Sequence, residues 1–131
     1  MNILIAEDDP SIRQLLSMLV RKAGHTVETA ADGASALSLL RGSEYDVMLL
    51  DLMMPQMGGF TVVDELRSTA PHLLRRCIVV TATGPREHEF LRNDVFRVIR
   101  KPFDVDELWR TIEECGAAGR LDSGGRVDGG T

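Results

Sequence analysis

Four consecutive apolar residues, Val47, Met48, Leu49 and Leu50, run directly into Asp51, and the chain then meets Pro55, Gly58 and Gly59. An unbroken apolar run of this length suits a strand covered on both faces, as in a parallel sheet with helices above and below it. A charge at the end of such a run is cheap only where the strand leaves the core. The proline and the glycine pair keep the next stretch irregular until about Phe60. A carboxylate at the C-terminal edge of a central parallel strand stands where open α/β sheets bind ligands and do chemistry.

The rest of the chain alternates strand and helix. Ile3 to Ala6 is an apolar strand that ends in Glu7, Asp8 and Asp9. Pro10 suits a first helical position with Asp9 as its cap, and Ile12, Leu15, Leu16, Leu19 and Ala23 recur at helical spacing up to Gly24. His25 to Ala30 reads as a more polar strand, nearer a sheet edge. Asp32 caps a second helix with Ala36, Leu37 and Leu40 inward, closed by Gly42. A third helix is predicted from Gly59 to Ser68, with Phe60, Val63 and Leu66 inward and Pro71 after its end.

Ile78 to Val80 is the fourth strand, ending at Thr81, and a short helix is predicted over 85–91. Phe96 to Ile99 is the fifth strand, closing at Arg100, Lys101 and Pro102. Asp104 and Glu107 stand in capping-box spacing ahead of a last helix that turns Val105, Leu108, Ile112 and Cys115 inward. Right-handed crossovers then give one parallel sheet with helices on both faces. From Gly116 onward six glycines and few apolar residues predict a disordered tail or linker over 117–131, leaving 1–116 as the domain.

A length of 131 residues supports one core and not two. A net charge of −5 argues against direct nucleic-acid binding. No apolar run reaches the length of a membrane span, and the opening MNILIAEDD lacks the basic start of a signal peptide, so a cytoplasmic protein without a membrane partner is expected. Cys77 and Cys115, far apart in such a chain, read as reduced thiols. His25, His72 and His88 lie on polar stretches and read as surface residues.

In a parallel sheet the strand ends line one edge. Glu7 and Asp8 after the first strand, Asp51 after the third, Thr81 after the fourth and Lys101 after the fifth therefore converge on one crevice. Each has a plainer reading: the acids as helix caps or solvated strand ends, Thr81 as an ordinary β-branched strand residue. Together, however, carboxylates this close repel, a pair ~4 Å apart costing on the order of 4 kcal/mol at an effective dielectric of about 20. A hard divalent cation such as Mg²⁺ would relieve that repulsion. Lys101, one of two lysines beside thirteen arginines, adds a compact positive charge. Metal, ammonium and hydroxyl are together an assembly for holding a phosphoryl group.

The acidic pair, the aspartate, the Thr81-Ala82 step and Lys101-Pro102-Phe103, in this order and spacing, resemble the receiver domain of two-component response regulators over Met1 to about Gly116. The resemblance implies a flavodoxin-like (βα)5 fold and phosphoryl transfer from a phosphohistidine on a sensor histidine kinase or phosphotransfer protein to Asp51. It implies Mg²⁺ held by Asp8 and Asp51, by Glu7 through water, and by the backbone carbonyl of Met53. It assigns Thr81, the amide of Ala82 and Lys101 to the phosphoryl oxygens, and makes the Lys101-Pro102 bond cis. An output domain or partner protein, or a homodimer through the helix 4–strand 5–helix 5 face, would receive the signal. The domain would catalyse only its own phosphorylation and dephosphorylation, either standing alone or as part of a longer regulator.

This sequence departs from the family pattern in three places. Val98 stands where an aromatic residue often precedes the lysine by three, Gly58 stands where an acid is common, and the Thr81–Lys101 interval is about two residues short. These departures leave a second reading, a degenerate receiver that docks proteins without phosphorylation. A haloacid-dehalogenase-type phosphatase would need an aspartate at Met53, and a flavodoxin would need a Ser/Thr-rich phosphate loop after the first strand.

Overall fold

Along β1 (Asn2–Ala6) successive side chains go to opposite faces of the sheet, and both faces are buried: Leu4 and Ala6 join one apolar cluster, Ile3 and Ile5 another. The same division holds in β3 (Val47–Leu50), with Met48 and Leu50 opposite Val47 and Leu49. In β4 (Cys77–Thr81), Cys77 and Val79 face away from Ile78 and Val80. Strands apolar on both sides require a helical layer on each.

The computed structural model describes residues 1–54, 57–82, 91 and 94–130, with side chains described to residue 119. One face is covered by α1 (Pro10–Lys22), through Leu16 and Val20, and by the last helix, α5 (Val105–Gly130), through Leu108, Ile112 and Cys115. The other is covered by α2 (Gly33–Gly42), α3 (Gly59–Thr69) and the single turn α4 (Pro71–Leu74). With β2 (Thr26–Ala30) and β5 (Arg97–Arg100), the sheet is wholly parallel in the order β2-β1-β3-β4-β5, a flavodoxin-like doubly wound fold. The polar β2 lies at one edge, as its composition predicts. At the other edge β5 presents Arg97 and Arg100 to solvent, charges that discourage pairing with another sheet.

Helix ends follow the expected chemistry. The Asp9 carboxylate accepts from the amides of Ser11 and Ile12, and Asp32 from that of Ser35. Gly24 takes a φ of +96°, the left-handed conformation that stops α1. The inward phases are rotated from prediction at several points. Leu15 and Ala23 point outward while Ser17 and Val20 are buried; Val62 rather than Phe60 is fully buried; Val105 is exposed. Ser17 is tolerated inside because its hydroxyl donates to the Arg13 carbonyl at 2.8 Å.

His25 also departs from its surface reading. It is largely covered because α5 folds back over the start of β2, setting the Trp109 ring 6.4 Å away and the Glu113 carboxylate 3.5 Å from Nε2. His72 is exposed, and His88 lies outside the described residues. So do Pro55 and, apart from Leu91, the helix predicted over 85–91. Cys77 and Cys115 are free, buried thiols; burial raises both pKa values, that of Cys115 to about 12. Among the residues of α5 whose side chains are described, Gly116 is the last buried one, and the backbone continues as helix through the Gly-rich stretch to Gly130. No helix among the described residues is long and apolar enough to cross a membrane.

Candidate functional site

The sheet's hydrogen-bond ladder extends one residue past the strands and carries the first site residues with it. The Glu7 amide donates to the Ala30 carbonyl at 3.0 Å, the Asp51 amide to that of Ala6 at 3.0 Å, and the Lys101 amide to that of Thr81 at 2.8 Å. Glu7, Asp51 and Lys101 are therefore placed by backbone pairing, which leaves their side chains to meet above the sheet edge. Thr81 ends β4 fully buried, and Ala82 follows it exposed.

Lys101 lies between the acids. Its Nζ donates to Glu7 Oε1 at 2.6 Å and to Asp51 Oδ2 at 3.3 Å. Glu7 is only 2% exposed and Asp51 5%, so both carboxylates are out of solvent. Each of Glu7, Asp8 and Asp51 has a carboxylate oxygen within 4.8 Å of the others. Burial pushes the Glu7 carboxyl up from 4.5 to about 7; the Lys101 hydrogen bond opposes this, and the hydrogen bond and charge of Asp51 add to it. Burial also works against the charge on Lys101, but the Glu7 bond and the charges of Asp51 and Glu7 outweigh it and hold the amine above its ordinary range.

One ammonium facing three acids leaves an excess of negative charge in a poorly solvated place. Three convergent carboxylate oxygens fit a hard divalent cation, and Mg²⁺ keeps water in its remaining positions. Met53 stands beside the cluster through its amide, which donates to Asp51 Oδ1 at 3.1 Å, while its side chain is exposed. Lys101-Pro102 is a cis peptide bond. The structure thus gathers Glu7, Asp51 and Lys101 by direct contact, Asp8 with a carboxylate oxygen within 4.8 Å of those of the other two acids, Met53 through its amide, and Thr81 and Ala82 by their place on the same edge.

Two glycines had a role here that composition did not reveal. A Cβ on Gly59 would lie 2.4 Å from the Asp51 carbonyl oxygen and 2.6 Å from the Leu52 Cα, so α3 can start against the Asp51 backbone only with glycine there. A Cβ on Gly33 would lie 2.2 Å from the Met57 carbonyl oxygen, which accepts the Gly33 amide at 2.8 Å. The starts of α2 and α3 thus clasp the loop after Asp51. A glycine as first residue of a helix, where a side chain is ordinarily welcome, is the sequence signal for such a close approach. Arg13, whose Nη1 donates to the Glu7 and Asp8 carbonyls, was not signalled at all.

The chain is similar to known proteins in sequence and in fold. The family model described as response regulator receiver domain matches residues 3–113. The transcriptional regulatory protein TcrA of Mycobacterium tuberculosis is 32% identical over 121 residues, covering 91% of this chain and 47% of that protein. This chain therefore spans about half the length of that relative. The receiver domain of the Francisella response regulator 1452 superimposes with a TM-score of 0.81 at 28% identity, covering 89% of this chain and 97% of that one. The response regulator TrrA of Thermotoga maritima, solved in complex with Mg²⁺ and BeF, gives a TM-score of 0.78 at 28% identity, covering 87% and 97%.

Proposed function

The chain belongs to the response regulator receiver domain family, and from that premise we propose that Asp51 accepts a phosphoryl group from a phosphohistidine on a partner kinase or phosphotransfer protein. The observation that carries this reading is the convergence of Glu7, Asp8 and Asp51 with the Lys101 amine spanning Glu7 and Asp51. In the transfer, an Asp51 carboxylate oxygen attacks phosphorus as the bond to the imidazole nitrogen breaks, and the histidine leaves with the bonding pair and takes up a proton. Lys101 holds the acceptor before transfer and pairs with a phosphoryl oxygen afterwards. The Thr81 hydroxyl and Ala82 amide serve the remaining oxygens. Water attack on the acyl phosphate returns Asp51 and releases phosphate, so the mark is temporary. Glu7, Asp8, Asp51 and the Met53 carbonyl would hold Mg²⁺, which when bound offsets the charge of the phosphoryl oxygens.

The mark would switch contacts with an output domain, a partner protein or a second copy, in a cytoplasmic pathway without membrane or direct nucleic-acid contact by residues 1–116. The stretch 117–131 serves as tail or linker in this reading. The test is labelling by acetyl phosphate or beryllofluoride with Mg²⁺: the wild type is modified and Asp51→Asn is not. Equal labelling of the two proteins would sink the assignment. Val98, half-buried against the α2–α3 side of the core where an aromatic is common, favours the second reading, a docking module indifferent to phosphorylation. Partner binding unchanged by labelling would select it.

A further inference from the structure

We propose that Arg13 is a positioning residue for the Glu7–Asp8 turn: by gripping the two peptide carbonyls of that turn, it sets how tightly their carboxylates share a divalent cation with Asp51. The inference rests on the Mg²⁺ reading above and concerns a residue outside the proposed ligand set. Nη1 of Arg13 lies 2.9 Å from the Glu7 carbonyl oxygen and 3.3 Å from that of Asp8. That nitrogen carries two N–H groups, so it has one for each carbonyl, and both bonds are strengthened by the guanidinium charge.

Both ends of this grip are anchored. Arg13 is fixed on α1 by its amide, which donates to the Asp9 carbonyl at 2.9 Å, and by its carbonyl, which accepts from Ser17 Oγ at 2.8 Å. The turn is tied on its other side by the Glu7 amide on Ala30. Arg13 is half-buried, and among the described residues it forms no ion pair with a carboxylate, so the carbonyl bonds are what hold its head.

Asp8 is where the grip matters most. Glu7 has partners for both carboxylate oxygens, Lys101 on one and the Asp9 amide on the other. Among the described residues no hydrogen bond holds the Asp8 carboxylate, so its direction toward Asp51 depends on its backbone. That backbone is steadied at its carbonyl by Arg13. Without the guanidinium the two carbonyls turn to water, the peptide units gain freedom, and a bound cation must order them again.

Isothermal titration of the full chain with Mg²⁺ tests this, using wild type, Arg13→Ala, Arg13→Lys and, as a control, the exposed Arg41→Ala. Arg13→Ala should bind with unchanged stoichiometry and about tenfold weaker affinity, in the range seen when groups that orient metal ligands are removed. Arg13→Lys should fall between, and Arg41→Ala should match wild type. A purely structural role would lower the melting temperature without moving the dissociation constant. Affinity of Arg13→Ala within about twofold of wild type overturns the proposal; should that variant fail to fold, wild-type affinity in Arg13→Lys does the same. A wild type that does not bind Mg²⁺ overturns the metal reading itself, and this proposal with it.

Discussion

The two ends of one sheet handle charge in opposite ways. At the N-terminal edge of the strands three polar contacts each join one donor to one acceptor: the Asn2 amide on Asp46 Oδ2 at 2.7 Å, the Tyr45 hydroxyl on Glu28 Oε1 at 2.9 Å, and Arg76 Nη1 on the Tyr45 carbonyl at 3.2 Å. Two open hollows, of about 410 and 490 Å³, lie at this end among those partnered groups. At the C-terminal edge two nearly inaccessible carboxylates share one ammonium, with a third acid beside them. Hollow space is thus present, among the described residues, at the end away from the acidic cluster. Unbalanced buried charge distinguishes the C-terminal edge, and such charge is costly to a fold unless a partner offsets it.

Lys101 is where the contrast can be broken most severely. Replacing it with methionine removes the only counter-charge the cluster contacts in the described structure, and should destabilise the metal-free protein by about 3–5 kcal/mol in urea unfolding. A loss below ~1 kcal/mol, the scale of an exposed pair, would make the two ends equivalent.

Protonation sharpens the comparison with a smaller effect. The unfolded chain releases the Glu7 proton near 4.5 and the folded chain near 7, so between these values the folded state binds more protons. The stability that Glu7 contributes is complete below the lower value and is lost as pH rises through the upper one. Chelator-treated wild type should thus lose stability between about pH 5 and about pH 8 relative to Glu7→Gln. Parallel pH profiles for the two proteins would show that Glu7 is not the group responsible.

The smallest effect belongs to the other end. Tyr45→Phe removes one hydroxyl bond to Glu28 and should cost about 1 kcal/mol in chemical unfolding. If Mg²⁺ binds as proposed it should raise the melting temperature, and Tyr45→Phe should leave that rise at the wild-type value. A change in that rise would mean that the two ends of the sheet are coupled.

Much of the site was legible because strand ends are local features. The apolar run before Asp51, the acids after Ala6 and the Lys101-Pro102 step each announce where a strand leaves the core. Helix phase was harder to read in α1, where Leu15 looked inward and proved exposed while Ser17 went inside. Neighbouring residues on a helix differ by about 100° in direction, so a stripe with several apolar candidates leaves its facing side to the packing partner. His25 was misread for a related reason: its cover comes from Trp109 and Glu113, far along the chain.

From the sequence alone came a doubly covered parallel sheet and the set of residues at its C-terminal edge, since alternation and breaker residues act within a few positions of themselves. Tertiary structure alone decided that the Lys101 amine would reach Glu7 across 94 residues and Asp51 across 50, with Gly33 and Gly59 clearing room for the loop between. Periodicity carries no distances between remote segments. Those are set when the sheet register and the helix layers close together, and the electrostatics of the site depends on them.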